Sequence, residues 1–210
     1  MELKKINPNL KRALAELGLT EANPLQEAVF STLKSGADCC ISAPQGSGKT
    51  TLVAMSVIQR LEKPVGESTR ALILVNDRDE VLAMVELLRQ LGQYTNLRIL
   101  GTHEKGDIDY DKNQISLGLD ILVGTPARIN AVFASAGFNI NTVKVFVVDD
   151  ADEMFKNRHD AVISRLSSSI KKTQYIYTMA QETEKIWTMS ENFMAEPYWF
   201  SDDEQQEESE

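Results

Sequence analysis

A chain of 210 residues with 42% hydrophobic and 25% charged side chains has the composition of one globular domain with a sizeable core and little room for two. Its net charge of −9 owes six units to the carboxylates of residues 201–210, which leaves −3 for the rest, so any nucleic-acid site must be a local patch. No stretch approaches the roughly 18 apolar residues of a membrane span, and the opening residues lack the apolar centre of a signal peptide, so a soluble, cytoplasmic protein is expected.

Taken in chain order, Leu10, Ala13, Leu14 and Leu17 recur at helical spacing between Asn7-Pro8 and Gly18, which predicts a first helix. A second begins near Leu25, carries Ala28, Val29 and Leu33, and ends before Ser35-Gly36. Cys39, Cys40 and Ile41 read as a strand, in which neighbouring thiols point to opposite faces and cannot easily pair. Leu52, Met55, Ile58 and Leu61 then predict a helix. Residues 71–75 and 97–100 read as strands with a helix over 81–91 between them, and residues 101–118 are polar and fit no pattern. Further apolar runs at 120–123, 145–148, 174–177 and 198–200 complete a set of strands separated by helical segments, with no internal repeat. Such alternation predicts an α/β fold of three layers, with a largely parallel sheet whose ligands bind at the carboxyl ends of the strands. Residues 201–210 hold nothing apolar to bury and are expected to form a solvated acidic tail after a domain spanning 1–200.

Residues 43–50 read Ala-Pro-Gln-Gly-Ser-Gly-Lys-Thr between the Cys39 strand and the Leu52 helix. That is the strand, loop, helix setting of a P-loop: Gly46 and Gly48 let backbone N–H groups turn toward an anion, and the helix start adds its positive end. Lys49 reaches the outer phosphates and Thr50 sits on magnesium in such a loop. The first glycine of the general pattern is Ala43 here, a substitution that leaves phosphate binding possible. About a hundred residues on, the apolar run 145–148 opens into Asp149-Asp150-Ala151-Asp152, where a P-loop protein carries the carboxylates that orient magnesium and polarise water.

With these motifs in order, the chain resembles the amino-terminal RecA-like domain of DEAD-box ATP-dependent RNA helicases. Residues 18–26 resemble the adenine-reading Q motif, residues 43–50 the P-loop, Thr125-Pro126-Ala127-Arg128 the RNA-contacting segment, residues 149–152 the Asp-Glu-Ala-Asp box, and Thr178-Met179-Ala180 the Ser-Ala-Thr motif. The resemblance implies that Gln26 bonds the adenine edge and that Gln45, Gly46, Ser47, Gly48, Lys49, Thr50 and Thr51 hold the phosphates of ATP or ADP. It also implies that Thr50 and Asp149 hold Mg2+, that Lys49, Asp149 and Asp150 act in hydrolysis, and that Asp152 ties its loop to the third motif. Arg78, Thr125, Pro126 and Arg128 would contact RNA.

Several positions depart from the family. The box glutamate is Asp150, one methylene shorter, and pulling a catalytic base back by ~1 Å can cost about a hundredfold in rate. Ala180 loses the hydroxyl of the third motif, Ala22-Asn23 replaces Pro-Thr, no aromatic precedes Phe30 to contact adenine, and Asn76-Asp77-Arg78-Asp79 keeps only its arginine. Family members close a second RecA-like domain over ATP and RNA, and too few residues follow Ala180 to build one. The expectation is a nucleotide-binding half that hydrolyses weakly unless another protein supplies the second domain. The alternative is a catalytically degenerate module that binds nucleotide, RNA or a protein as a regulatory ligand.

Overall fold

The computed structural model describes Leu3 and residues 5–201. Residues 202–210, where nearly all of the expected acidic tail falls, lie outside the described residues. Seven strands, β1 (Cys39–Ser42), β2 (Ala71–Leu74), β3 (Ile99–Thr102), β4 (Ile121–Gly124), β5 (Val145–Val148), β6 (Gln174–Met179) and β7 (Tyr198–Ser201), form one sheet in the order β3-β4-β2-β5-β6-β1-β7. Every pairing is parallel. The expected three-layer α/β architecture is therefore the one observed, with all strand ends of one sense gathered at one edge.

Alternation along the strands sorts side chains into two cores. Cys39, Ile41, Ala71, Ile73, Val145, Val147 and Ile176 face helices α1 (Pro8–Glu16), α2 (Pro24–Ser35), α3 (Lys49–Leu61) and α4 (Arg78–Leu91). Cys40, Leu72, Leu74, Phe146, Val148, Tyr175 and Tyr177 face the other way, toward α5 (Ile108–Ser116), α6 (Pro126–Ala134), α7 (Ala151–Lys156), α8 (Asp160–Ser169) and α9 (Glu184–Phe193). Both cysteines are buried and free, on opposite faces as the strand reading requires.

Two segments differ from the sequence expectation. β3 starts two residues later than the apolar run, because Arg98 is taken up by Asp120 through both its backbone N–H and its guanidinium. Its Gly101 is where α4 crosses: a Cβ there would lie 2.8 Å from both Val81 and Val85. The polar stretch 101–118 contains α5, capped by Asp107, whose side chain accepts from Asp109 N and Tyr110 N. Only Asp111 and Ile115 of that helix are buried, which is why no apolar period marks it.

At the opposite, amino-terminal edge of the sheet, Asp120 is fully buried between Arg70, 2.7 Å away, and Arg98, 2.8 Å away. Burial pushes its carboxyl up, but the bonds from Arg98 and Arg70 prevail and hold it below its ordinary value. The same arginines reach Lys63 O and Gly66 O and so pin the connection from α3 to β2. The carboxyl-terminal edge carries the conspicuous motifs.

Candidate functional site

Residues 43–48 carry the chain from the end of β1 into α3. Gly46 and Gly48 take φ of 81° and 90°, a region that L side chains rarely enter. A Cβ on Gly46 would meet nothing within 4 Å, whereas one on Gly48 would come within 2.7 Å of Asn23 Nδ2. The first glycine thus serves conformation alone, and the second also admits the start of α2. Lys49 is 5% exposed, and its ammonium donates to Ala43 O at 2.6 Å and Pro44 O at 2.9 Å. Gln45, Gly46 and Thr50 are exposed, while Ser47, Gly48 and Thr51 are half-buried.

The strand order β5-β6-β1 places Thr178, near the end of β6, between the end of β5 and the P-loop. Thr178 is fully buried; its hydroxyl donates to Asp149 Oδ1 at 2.5 Å and accepts from Asp150 N at 2.9 Å. On the other side Thr50 Oγ1 donates to Asp149 Oδ2 at 3.3 Å. One carboxylate is therefore oriented by two hydroxyls from two elements. Burial pushes Asp149 up to about 6; the Asp150 and Glu80 charges add to the rise, and the bonds from Thr178 and Thr50 oppose it. Asp150, held at φ 49°, is also raised by burial, with Lys49 acting against the shift.

Asp152 ties its loop to the end of β6, since Oδ2 accepts from Ala180 N and Gln181 N at 3.1 Å each. Its Oδ1 is buried without a partner. The family's threonine hydroxyl is missing at Ala180, beside this carboxylate.

On the far side of the P-loop, Asn23 caps α2 by accepting from Gln26 N at 2.9 Å, and Gln26 Oε1 accepts from Asn23 N at 3.2 Å. The same Asn23 donates through Nδ2 to Ser47 O at 2.9 Å, which fastens α2 to the loop. Beside it lies a cavity of about 400 Å3 lined by Leu3, Ile6, Leu14, Leu19, Gln26 and Met55. Lys11, Thr20, Glu21 and Thr51 also line it, so aliphatic and polar side chains share its walls.

The segment proposed from sequence to meet RNA lies at the ends of β4 and β2. Arg78 is exposed and 3.3 Å from Asp79. Pro126 opens α6, and Thr125 is its N-cap residue. Thr125 is 3% exposed and donates to Glu104 Oε1 at 2.7 Å. Arg128 is 8% exposed, with Nε 2.9 Å from Asp111 Oδ2 and 3.1 Å from Thr102 Oγ1. Its guanidinium thus points into the packing of α5 on β3, away from solvent. Sequence reasoning missed Asn23, Glu80, Glu104 and Asp111. Asn23 and Glu80 carried a local signal, the Asn-x-x-Gln and Asp-x-x-Glu spacings of a helix start.

Phosphate and magnesium suit the residues present: a loop of left-handed glycines, an ammonium hydrogen-bonded to two loop carbonyls, and hard oxygen donors on Thr50 and Asp149. The DEAD/DEAH box helicase family model matches residues 23–190. The chain belongs to that family. This DEAD/DEAH box domain is 30% identical over 190 residues to "ATP-dependent RNA helicase eIF4A" of Meyerozyma guilliermondii, aligning 88% of itself with 44% of that protein. It is likewise 30% identical over 188 residues to "ATP-dependent RNA helicase DRS1" of Debaryomyces hansenii, at 86% of itself and 24% of the relative. The chain thus spans less than half the length of these curated relatives. In fold it matches a DEAD box protein from the hyperthermophile Methanococcus jannaschii at TM-score 0.88 and 22% identity, over 94% of this chain and 54% of the other. The yeast DEAD-box splicing factor Prp28 matches at TM-score 0.83 and 19% identity, over 90% and 47%. Among the described residues no helix is long and apolar enough to cross a membrane.

Proposed function

We propose that this DEAD/DEAH box domain binds ATP with Mg2+ at the P-loop and single-stranded RNA along the carboxyl ends of β4 and β2, and that it hydrolyses ATP weakly by itself. The observation that carries the reading is the chain of bonds from Thr178 through Asp149 to Thr50, which fixes a carboxylate and a hydroxyl beside the phosphate loop. When bound, Mg2+ supplies charge neutralisation between the outer phosphates. Thr50 and Asp149 would hold it, Lys49 would leave its loop carbonyls for the phosphates, and the cavity beside Gln26 would take the base. Asp150 would orient the attacking water and Arg78 would meet RNA phosphate. A second RecA-like unit, in the same chain or another, would bring an arginine worth roughly 10³ to 10⁵ in turnover. The compartment proposed is the reducing cytoplasm, in keeping with two buried free thiols.

Calorimetry with ATP–Mg and an ATPase assay with RNA, run with and without an added second RecA-like domain, test this. Binding that Lys49→Ala abolishes, with turnover rising when the second domain is added, is expected. The shortened Asp150 and the idle Asp152 oxygen favour a second reading, in which nucleotide binds as a regulatory ligand without turnover. Binding with no turnover under any pairing, and no gain from Asp150→Glu, would select it.

A further inference from the structure

We propose that Glu104 is an internal competitor for the phosphate that Thr125 would receive, so that RNA gains this edge of the sheet only when the glutamate leaves. The inference rests on the RNA reading above and adds a control to it.

A threonine at a helix N-cap ordinarily turns its hydroxyl to the free N–H groups of its own first turn. Thr125 does not: α6 has no side-chain cap, and the hydroxyl is spent on the Glu104 carboxylate 2.7 Å away. The first-turn amides of α6, at the positive end of a nine-residue helix, thus lack their usual side-chain acceptor, while a carboxylate stands at the neighbouring hydroxyl. A carboxylate in that position resembles the phosphate it would exclude, in charge and in acceptor chemistry.

Helix α5, next along the chain, supplies a second carboxylate to the same motif, Asp111 on Arg128, and the two differ in kind. The Arg128 and Asp111 side chains are 9% and 6% exposed and share Thr102, so that pair belongs to the packing. Glu104 is exposed on its loop, and its bond to Thr125 can exchange with water or with an incoming anion. Asp111 builds the motif; Glu104 covers it.

The experiment is fluorescence anisotropy of fluorescein-labelled decauridylate at low salt with ATP–Mg, comparing the unaltered chain, Glu104→Gln and Asp109→Asn. Glu104→Gln keeps an acceptor for the Thr125 hydroxyl and removes the charge, and should tighten RNA binding about tenfold, the size of one charge-assisted bond net of solvation. Asp109, exposed on α5 and 3.0 Å from Lys112, provides the same change of net charge at a carboxylate that is not the partner of the Thr125 hydroxyl, and should alter binding less than about threefold. The gain from Glu104→Gln should shrink as salt shortens the screening length. Equal affinity of Glu104→Gln and the unaltered chain overturns the inference alone, as does an equal gain from Asp109→Asn. Absence of RNA binding by all three, with ATP affinity intact, overturns the RNA reading and the inference with it.

Discussion

Replacing Asp149 by asparagine should make the empty domain more stable while destroying its use of magnesium. Asp149 is 5% exposed, and burial raises its carboxyl from 3.8 to about 6. Between those two values the folded state holds a proton that the unfolded chain has lost, so stability falls as pH rises through this window and stays reduced above it. A rise of about two units corresponds to roughly 3 kcal/mol against the ionised native state. Asparagine keeps an oxygen for the Thr178 hydroxyl and offers an N–H to Thr50, so little is left unbonded in exchange. The expected gain is about 1–3 kcal/mol at pH 8, seen as about 2–4 °C in Tm per kcal/mol at this chain length. Urea or thermal unfolding without nucleotide at pH 8, 6 and 4 measures it, and the advantage should vanish near pH 4, where the native carboxyl is already protonated. ATP affinity should meanwhile lose its dependence on Mg2+. An advantage that is absent at pH 8, or undiminished at pH 4, would refute the account of Asp149 as a buried charge kept for a cation.

Asn23→Ser keeps the cap on α2 but is too short to hold Ser47 O, so stability should change by less than about 0.5 kcal/mol while ATP affinity falls several-fold; Asn23→Ala should lose about 1 kcal/mol as well. Parallel urea titrations and calorimetry separate the two effects, and ATP affinity unchanged in both variants would show that the tie to the P-loop does nothing. Ala180→Ser offers a donor to the idle Asp152 Oδ1 and should stabilise the domain by about 1 kcal/mol. Unchanged urea midpoints would mean that the oxygen is satisfied in another way.

What the sequence disclosed and what it hid divide along a physical line. The P-loop, the Asp149 strand end and the parallel sheet were legible because each depends on neighbours within a few residues: glycines where the backbone turns, apolar runs that both helix layers cover. The helix α5 was not legible, since it buries only Asp111 and Ile115 and its stabilising cap is a single aspartate among several. Arg128 shows the deeper limit. Its motif suggests a guanidinium facing phosphate, yet its environment is decided by Asp111, seventeen residues upstream, which tertiary packing alone brings within 2.9 Å. Glu104 and Thr125 meet for the same reason, across two strands whose pairing no local pattern records.

The paired cysteines of β1 give the molecule two built-in probes of its own opening. A thiol reacts only as an exposed thiolate, and burial pushes Cys39 up to about 12 and Cys40 higher still. Because β1 is an inner strand, flanked by β6 and β7, Cys39 becomes reachable only when the layer of α1 to α4 lifts, and Cys40 only when the layer of α5 to α9 does. Two adjacent residues therefore report on separate halves of the protein, and the relative speed at which a thiol reagent captures each reveals which half breathes first.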